Sequence, residues 1–531
     1  MRHDLEFGSI PGILRVNGGR FAEHEALADL DSGRRWTFAE LEADMVASVR
    51  AAIAAGVRPG DRVAVWMPNS AEWILAALGA LGAGGVLVPM NTRFKGEEAA
   101  HVLRKSGAAV LVTEAEFLGV DYVGMLRDTD PGLVERLKII TRNVHPSGDT
   151  TSWADHLAAG AEVPRDAALA RIDGVRGDDL SDIMFTSGTT GAPKGVMLTH
   201  AQSLRAHGYL SEMFGFTLGD RYLVIPPFFH TFGYKAGWMA SLIHGAAVLP
   251  QRTFDVDEVM ARISAERITV LFGPPTLFGD LIRHPRRGEH DLSSLRATLP
   301  SAATVPVELV HALRTELGFD VVLTGYGLTE ATSMVSLCRP GDAPEDVADS
   351  VGRPADDVEV KLIDEHGNPV PTGEEGELLV RGYVVMRGYW EDPEATAEAV
   401  DAEGWLHTGD IATMNERGFL RITDRKKDMF ITGGFNAYPA EIERLLLRHE
   451  GVAEVAVIGV PDERLGEVAA AFVIPAAGHD LTAEDVISWA RSHLANYKVP
   501  RHVRLVAELP RNASMKVRKH ELRLRFADSR S

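Results

Sequence analysis

Eleven consecutive positions, Phe185-Thr186-Ser187-Gly188-Thr189-Thr190-Gly191-Ala192-Pro193-Lys194-Gly195, hold three glycines, four hydroxyl residues and one lysine. Flexible backbone N–H groups, hydroxyls and a cation offered together suit a polyphosphate. The order is not that of a Gly-x-x-x-x-Gly-Lys-[Ser/Thr] loop, since proline precedes the lysine and glycine follows it. Clusters of Gly, Ser and Thr are more often ordinary solvated turns. Against that, apolar runs flank this one, Ile183-Met184-Phe185 before it and Val196-Met197-Leu198 after it. A glycine-rich loop between buried segments is expected to be held over a site.

The elements that must position such a loop are read from periodicity. Val63–Met67 reads as a buried strand, Ala71–Leu81 as a helix and Val86–Pro89 as the next strand, one βαβ unit. The rhythm recurs with strand-like 221–225, helix-like 235–244, strand-like 247–249, helix-like 256–266 and strand-like 269–272. Beyond Asp356-Asp357 the runs 358–363 and 376–380 alternate, which suggests half-exposed antiparallel strands and a small barrel. After Asp424-Arg425-Lys426-Lys427-Asp428 a compact α+β pattern begins, with helices expected at 439–448 and 483–494 and strands at 452–460 and 468–474. The expected class is α/β: a large N-terminal multi-subdomain region of mixed sheets plus a small barrel, then a small mobile α+β domain. The boundaries are 1–424, a hinge at 425–428, and 429–531.

Composition narrows the function. A chain of 531 residues is too long for one ordinary domain. A net charge of −20 argues against non-specific nucleic-acid binding and against an anionic membrane as partner. Cys338 is the only cysteine, so no intrachain disulfide or cysteine metal cluster can form. No secretory signal is expected in Met1–Gly19, and no run reaches the roughly 18 apolar residues of a membrane span. A cytoplasmic location is expected. The oligomeric state is open, a homodimer included.

Further segments carry chemistry: Pro227-Phe228-Phe229-His230-Thr231-Phe232-Gly233, Thr324-Gly325-Tyr326-Gly327-Leu328-Thr329-Glu330, Gly404-Trp405-Leu406-His407-Thr408-Gly409-Asp410, Asp424–Asp428, and Pro510-Arg511-Asn512-Ala513-Ser514-Met515-Lys516. With the loop at 186–195, and in this order, they resemble the signatures of the adenylate-forming enzymes, which include acyl-CoA synthetases, peptide-synthetase adenylation domains and beetle luciferases. The likeness runs from about Trp36 to Lys519. It implies that a carboxylate attacks the α-phosphate of Mg-ATP to give an acyl-adenylate and pyrophosphate, after which a thiol, usually of CoA, displaces AMP. The first step brings two anions together, so cations and backbone donors must offset their repulsion.

The resemblance assigns roles position by position. Thr186, Ser187, Gly188, Thr189, Thr190, Gly191 and Lys194 would hold the β- and γ-phosphates. Lys516 would bridge carboxylate and α-phosphate as the main catalytic cation, and a flexible ammonium in a mobile tail can arrive for one step and leave for the next. Met515 stands where the family has glycine, which implies an effect on rate more than on role. Glu330 would hold Mg²⁺ through a hard carboxylate oxygen. Thr329 would contact the α-phosphate, Tyr326, between Gly325 and Gly327, would stack on adenine, and Asp410 and Arg425 would hold the ribose. His230 would gate the path between thiol and acyl sites. Lys427 would be the pivot, and Gly433, Gly434 and Phe435 would line the CoA tunnel.

For the acid, the residues suggest an apolar pocket from Phe228, Phe232, Gly233, Trp238, Phe272, Pro275, Thr276, Ala302 and Ala303. Gly327 stands where acetate-specific relatives carry tryptophan, so the resemblance implies room for a larger acid. No aspartate follows Phe229 to hold an amino group, which disfavours an amino acid. The combination of the 227–237, 273–276 and 432–439 segments resembles actinobacterial fatty-acid-type CoA ligases, especially those acting on a ring-bearing propanoate from steroid degradation. Medium- and long-chain fatty acids stay open beside it. So does an enzyme that loads a carrier-protein thiol. A nucleotide sensor without catalysis would lack Lys516 or Glu330, and both are present.

Overall fold

The computed structural model describes residues 2–531 apart from 144–149, 187–192, 302–304, 426–427, 433–434, 438, 463–464, 495, 512–516 and 529–531. Apolar runs of four or five residues build the first sheet as buried parallel strands. Its eight strands lie in the order Gly388–Tyr389, Lys194–Thr199, Leu180–Thr186, Val86–Pro89, Arg62–Trp66, Val110–Thr113, Lys138–Thr141 and Thr150–Ser152. The strands from Leu180–Thr186 to Thr150–Ser152 pair in parallel, whereas Lys194–Thr199 turns back antiparallel against Leu180–Thr186. A second sheet orders Arg221–Val224, Ala247–Pro250, Glu25–Asp29 and Arg34–Thr37.

Helix Ala71–Gly82 starts at Ser70, whose hydroxyl accepts from Trp73 N at 3.2 Å. It is buried almost all round, as its continuous apolar sequence requires. Helix Phe38–Ala54 crosses it closely, and a Cβ at Gly79 would stand 2.9 Å from the Ser48 carbonyl oxygen.

The expected small barrel is a four-stranded antiparallel half-barrel, Val358–Ile363, Gly376–Gly382, Leu406–Met414 and Leu420–Arg425 in that order. A short three-stranded meander, Gly325–Tyr326, Ser336–Leu337 and Arg353–Pro354, precedes it. The C-terminal part folds as expected. Strands Val452–Asp462 and Gly466–Pro475 form a long hairpin flanked by helices Pro439–Leu446 and Ala483–His493. Its apolar residues form clusters of their own.

Two elements depart from the sequence reading. Residues 235–244, expected as one helix, follow a short α-turn at Thr231–Gly233 and divide into a π-helical stretch, Tyr234–Met239, and an α-helix, Ala240–His244. Gly237 within the stretch takes a non-helical ψ of −105°. Residues 269–272 make only isolated parallel bridges, Val270 with Tyr222 and with Ala297. No helix among the described residues is long and apolar enough to cross a membrane.

Candidate active site

The strands that flank the glycine-rich loop meet at the antiparallel pair Thr186–Lys194, where the loop residues begin and end. Ser187, Gly188, Thr189, Thr190 and Gly191 lie outside the described residues. Lys194 places its Nζ 5.0 Å from the centroid of the Tyr389 ring. Tyr389 in turn donates from its hydroxyl to Glu330 Oε1 at 3.0 Å. Burial first, and then the Glu330 carboxylate, raise the phenol above its ordinary value, so the hydroxyl stays a donor. Lys194 and Glu330, 136 positions apart in sequence, are thus joined by one side chain that the sequence reading did not single out. The only sequence signal for Tyr389 is an aromatic pair after Arg387-Gly388, which says nothing of strand pairing.

Glu330 sits in a 3₁₀ turn, Thr329–Ala331, that follows the strand Gly325–Tyr326. Tyr326 donates from its hydroxyl to the carboxylate of Asp410, which is only 5% exposed. Asp410 N donates to Thr408 Oγ1 at 3.1 Å, fixing the turn that presents the acid. In the barrel sheet Asp410 pairs in register with Arg425, the last residue of its strand. Tyr326 and Asp410, expected at adenine and ribose, thus meet through their side chains, and the Arg425 backbone pairs beside Asp410.

His230 is held by the chain around it. Its Nδ1 accepts from Phe232 N at 3.2 Å, which caps the short turn at Thr231. The preceding segment, rich in proline and poor in donors, is tied by Asn69. Its Nδ2 donates to the Val224 and Pro226 carbonyls at 3.1 and 3.0 Å, and its Oδ1 accepts from Phe228 N at 2.7 Å. Ser333 Oγ donates to Thr231 Oγ1 at 2.5 Å. Contacts thus run from Lys194 through Tyr389 to Glu330, and from the turn beyond Glu330 to the His230 segment.

The residues expected to line an acyl pocket are packed more tightly than the sequence suggested. Phe228, Trp238 and Phe272 are fully buried. Trp238 stacks on Tyr234 at 5.1 Å, and Trp73 meets Phe228 edge-on at 5.4 Å. Phe232 is half-buried and stacks on Phe272 at 6.3 Å. Thr276 is exposed on helix Pro275–Arg283. A Cβ on Gly233 would lie 2.1 Å from the Pro226 carbonyl oxygen, so this glycine serves close packing. A Cβ on Gly327 would stand 2.2 Å from the Ser333 carbonyl carbon, so backbone lies close against that side of the glycine. Trp73 Nε1, Tyr234 Oη and Trp238 Nε1 are buried without a hydrogen-bond partner among the described residues.

Beneath this segment lies a buried ion pair. Lys235 Nζ stands 2.9 Å from Asp182 Oδ1, both side chains fully buried, and donates to Ser203 Oγ at 2.8 Å. Ser181 Oγ donates to Asp182 Oδ2 at 2.6 Å. Desolvation lowers the Lys235 pKa, with Asp182 opposing. His200 and His207 are held neutral, pushed down to about 3 by burial and by the Lys235 charge. Asp182 belongs to the strand that enters the phosphate loop, and Lys235 to the π-helical stretch behind His230.

Ala302, Lys427, Gly433, Gly434 and Lys516 lie outside the described residues. Phe435 opens the strand Phe435–Ala437 of the C-terminal sheet.

Comparison with known proteins matches this arrangement. Residues 14–390 match the model of the AMP-binding enzyme family, and 441–516 that of the AMP-binding enzyme C-terminal domain. The chain belongs to the AMP-binding enzyme family, and by its relatives it is an acid–thiol ligase of the acyl-CoA synthetase type. It is 48% identical over 519 residues to the 3-[(3aS,4S,7aS)-7a-methyl-1,5-dioxo-octahydro-1H-inden-4-yl]propanoyl:CoA ligase of Rhodococcus jostii, covering 97% of this chain and 98% of that one. The ligase of the same name from Mycobacterium tuberculosis is 48% identical over 523 residues, 98% of this chain and 99% of that one. Among solved structures, an anthranilate CoA ligase in complex with anthranoyl-AMP superposes with a TM-score of 0.88 at 28% identity, covering 98% of each chain. ATP and CoA are substrates of this class of ligase.

Proposed function

We propose that the protein converts a ring-bearing hydrophobic propanoate, with ATP and CoA, to its CoA thioester, AMP and pyrophosphate. The observation that carries the catalytic reading is the convergence of Lys194, Tyr389 and Glu330 on one side and Tyr326 with Asp410 on the other. In the first step the acid's carboxylate oxygen attacks the α-phosphorus and pyrophosphate leaves. Tyr326 would stack on adenine, Asp410 and Arg425 would take the ribose hydroxyls, Thr329 would meet the α-phosphate, and Lys194 with the loop before it would hold the departing phosphates. Lys516 would bridge the two anions. In the second step the CoA thiol attacks the acyl carbon past His230 and AMP leaves. Residues 429–531 would move about 425–428 between the steps.

Glu330 fits Mg²⁺. It is a half-buried carboxylate whose Oε1 alone receives the Tyr389 hydroxyl, and no group of three or more His, Cys, Asp or Glu gathers as a cage among the described residues. Mg²⁺ is commonly held by one or two carboxylates plus substrate phosphates. Bound there, it would neutralise phosphate charge.

The ring-bearing acid is favoured over a fatty acid by the two relatives that are 48% identical along nearly the whole chain. The dioxo acid named for the relatives is of this kind. A buried single cysteine fits a cytoplasmic setting, and a homodimer is compatible with the chain.

The test follows AMP release from ATP, CoA and a panel of acids, with Lys516→Ala alongside. The expected result is CoA-dependent AMP with a ring keto acid preferred. Lys516→Ala should lose adenylate formation by about a hundredfold to a thousandfold yet keep thioester formation from supplied acyl-adenylate. Failure of every acid in the panel to give AMP would end the enzyme reading, a preference for alkyl acids would end the substrate reading, and equal loss of both half-reactions would end the role of Lys516.

A further inference from the structure

We propose that Tyr389 is a positioning residue of the adenylation step, its hydroxyl orienting the Glu330 carboxylate and its ring face holding the Lys194 ammonium. The inference rests on the nucleotide reading above and adds to it the part that makes two distant segments one cradle. Lysine is a point charge on a flexible stem and does not fix its own direction. A ring under the ammonium and a hydroxyl on the acid supply that direction with a single side chain.

Tyr389 can do this because the backbone around it is fastened on three sides. The strand Gly388–Tyr389 runs antiparallel to Lys194–Thr199, with Val196 opposite Tyr389 and Met197 opposite Gly388. Trp390 N donates to Gly195 O at 2.7 Å and Arg387 N to Met197 O at 3.0 Å, which ties the segment to the return strand of the phosphate loop. Met386 N donates to Glu330 O at 2.8 Å, which ties it to the acid's own backbone. Tyr389 N donates to Thr396 Oγ1 at 2.8 Å, on the helix Pro393–Ala399 capped by Asp392. Gly388 has φ of +133°, and a Cβ there would meet Thr396 Cγ2 at 2.9 Å, so only glycine lets strand and helix approach. Five residues therefore bind the phosphate-loop strand, the Glu330 turn and a capped helix into one unit, and Tyr389 projects from it between the two charged groups.

The two contacts separate by substitution. Tyr389→Phe removes the donor to Glu330 and keeps the ring beneath Lys194. Tyr389→Leu removes both. The primary readout is equilibrium binding of a non-hydrolysable ATP analogue, with Mg²⁺ and with EDTA, beside binding of AMP, which lacks the phosphates this cradle holds. Losing one charge-assisted hydrogen bond predicts about tenfold weaker binding of the Mg²⁺–analogue complex by Tyr389→Phe. AMP affinity should stay within about twofold, and the advantage of Mg²⁺ over EDTA should shrink. Tyr389→Leu should weaken the analogue further, and Lys194→Met should then cost less in Tyr389→Leu than in the wild-type background, the sign of a shared contact. Unchanged analogue binding by Tyr389→Phe would overturn the proposal. A parallel loss of AMP affinity would also overturn it, since that marks a general structural defect. Because binding needs no turnover, a wild-type protein inactive on every acid would sink the proposed function while leaving this measurement decisive. If Tyr389→Leu fails to fold, Tyr389→Phe alone decides.

Discussion

The two sides of the candidate site, the one proposed for the nucleotide and the one proposed for the acid, are built on opposite plans. On the nucleotide side Lys194, Tyr389, Asp410 and the segment that carries both Tyr326 and Glu330 come from four stretches of chain, joined by the Lys194–Tyr389 ring contact and by the Tyr389–Glu330 and Tyr326–Asp410 hydrogen bonds. On the acyl side the segment from Phe228 to Met239 is almost wholly buried, stacked on aromatic neighbours, and pinned from beneath by the Lys235–Asp182 pair. A polar contact constrains residue type, because few side chains supply the right donor or charge. A packed aromatic layer constrains volume, which many combinations of residues satisfy together.

If that contrast holds, the acyl side should fail through stability. Lys235→Met leaves Asp182 charged and buried, which costs about 3–5 kcal/mol. Urea unfolding of the variant should show that loss, and Lys235→Met with Asp182→Leu should recover much of it, because an apolar pair leaves no unpaired charge. A single variant as stable as the parent would mean that the pair does not anchor the segment.

Acid should find the same layer. His200 and His207 are neutral in the fold with pKa values of about 3, below the ordinary 6.5 of an unfolded histidine. Their folded pKa values are depressed, so the unfolded chain takes up protons first. The stability they contribute is intact above pH 6.5 and is lost as pH falls from 6.5 towards 3. By pH 5 the loss is roughly 2 kcal/mol for each histidine. Urea titrations at pH 7.5 and 5.0 measure it, and His207→Gln should remove its own share of the pH dependence. Equal stability at the two pH values would show that this layer takes up no protons on unfolding.

The sequence exposed the two plans unequally. The βαβ unit at 62–89 and the C-terminal hairpin were legible because buried strands and amphipathic helices carry their own periods. Glu330, Tyr326 and Asp410 were legible because each stands in a short motif. Tyr389 was not, because its importance comes from pairing with a strand almost two hundred positions earlier. The π-helical stretch at Tyr234–Met239 was also hidden, since a register change inside a helix leaves the hydrophobic pattern almost intact. The close approach of the Ser333 backbone to Gly327 was hidden for a related reason: one residue type does not reveal a tertiary neighbour.

The smallest expected effect tests the nucleotide side at its most local point. Tyr326→Phe keeps the ring that would stack on adenine and removes only the hydroxyl that donates to Asp410. Asp410 is nearly buried, so water reaches it poorly and replaces the lost donor only in part. The loss is about 1.5–3 kcal/mol in the preorganisation of the acid. It should appear as weaker ATP and AMP binding to the same degree, because both nucleotides carry the ribose. The rate from bound substrates should be little changed, since the ring and the phosphate contacts remain in place. Steady-state kinetics with direct AMP binding separate the two. A fall in kcat with unchanged nucleotide affinity would mean that the hydroxyl acts on the reacting phosphate, and the division into a polar side that binds by single contacts and an apolar side that packs would have to be redrawn.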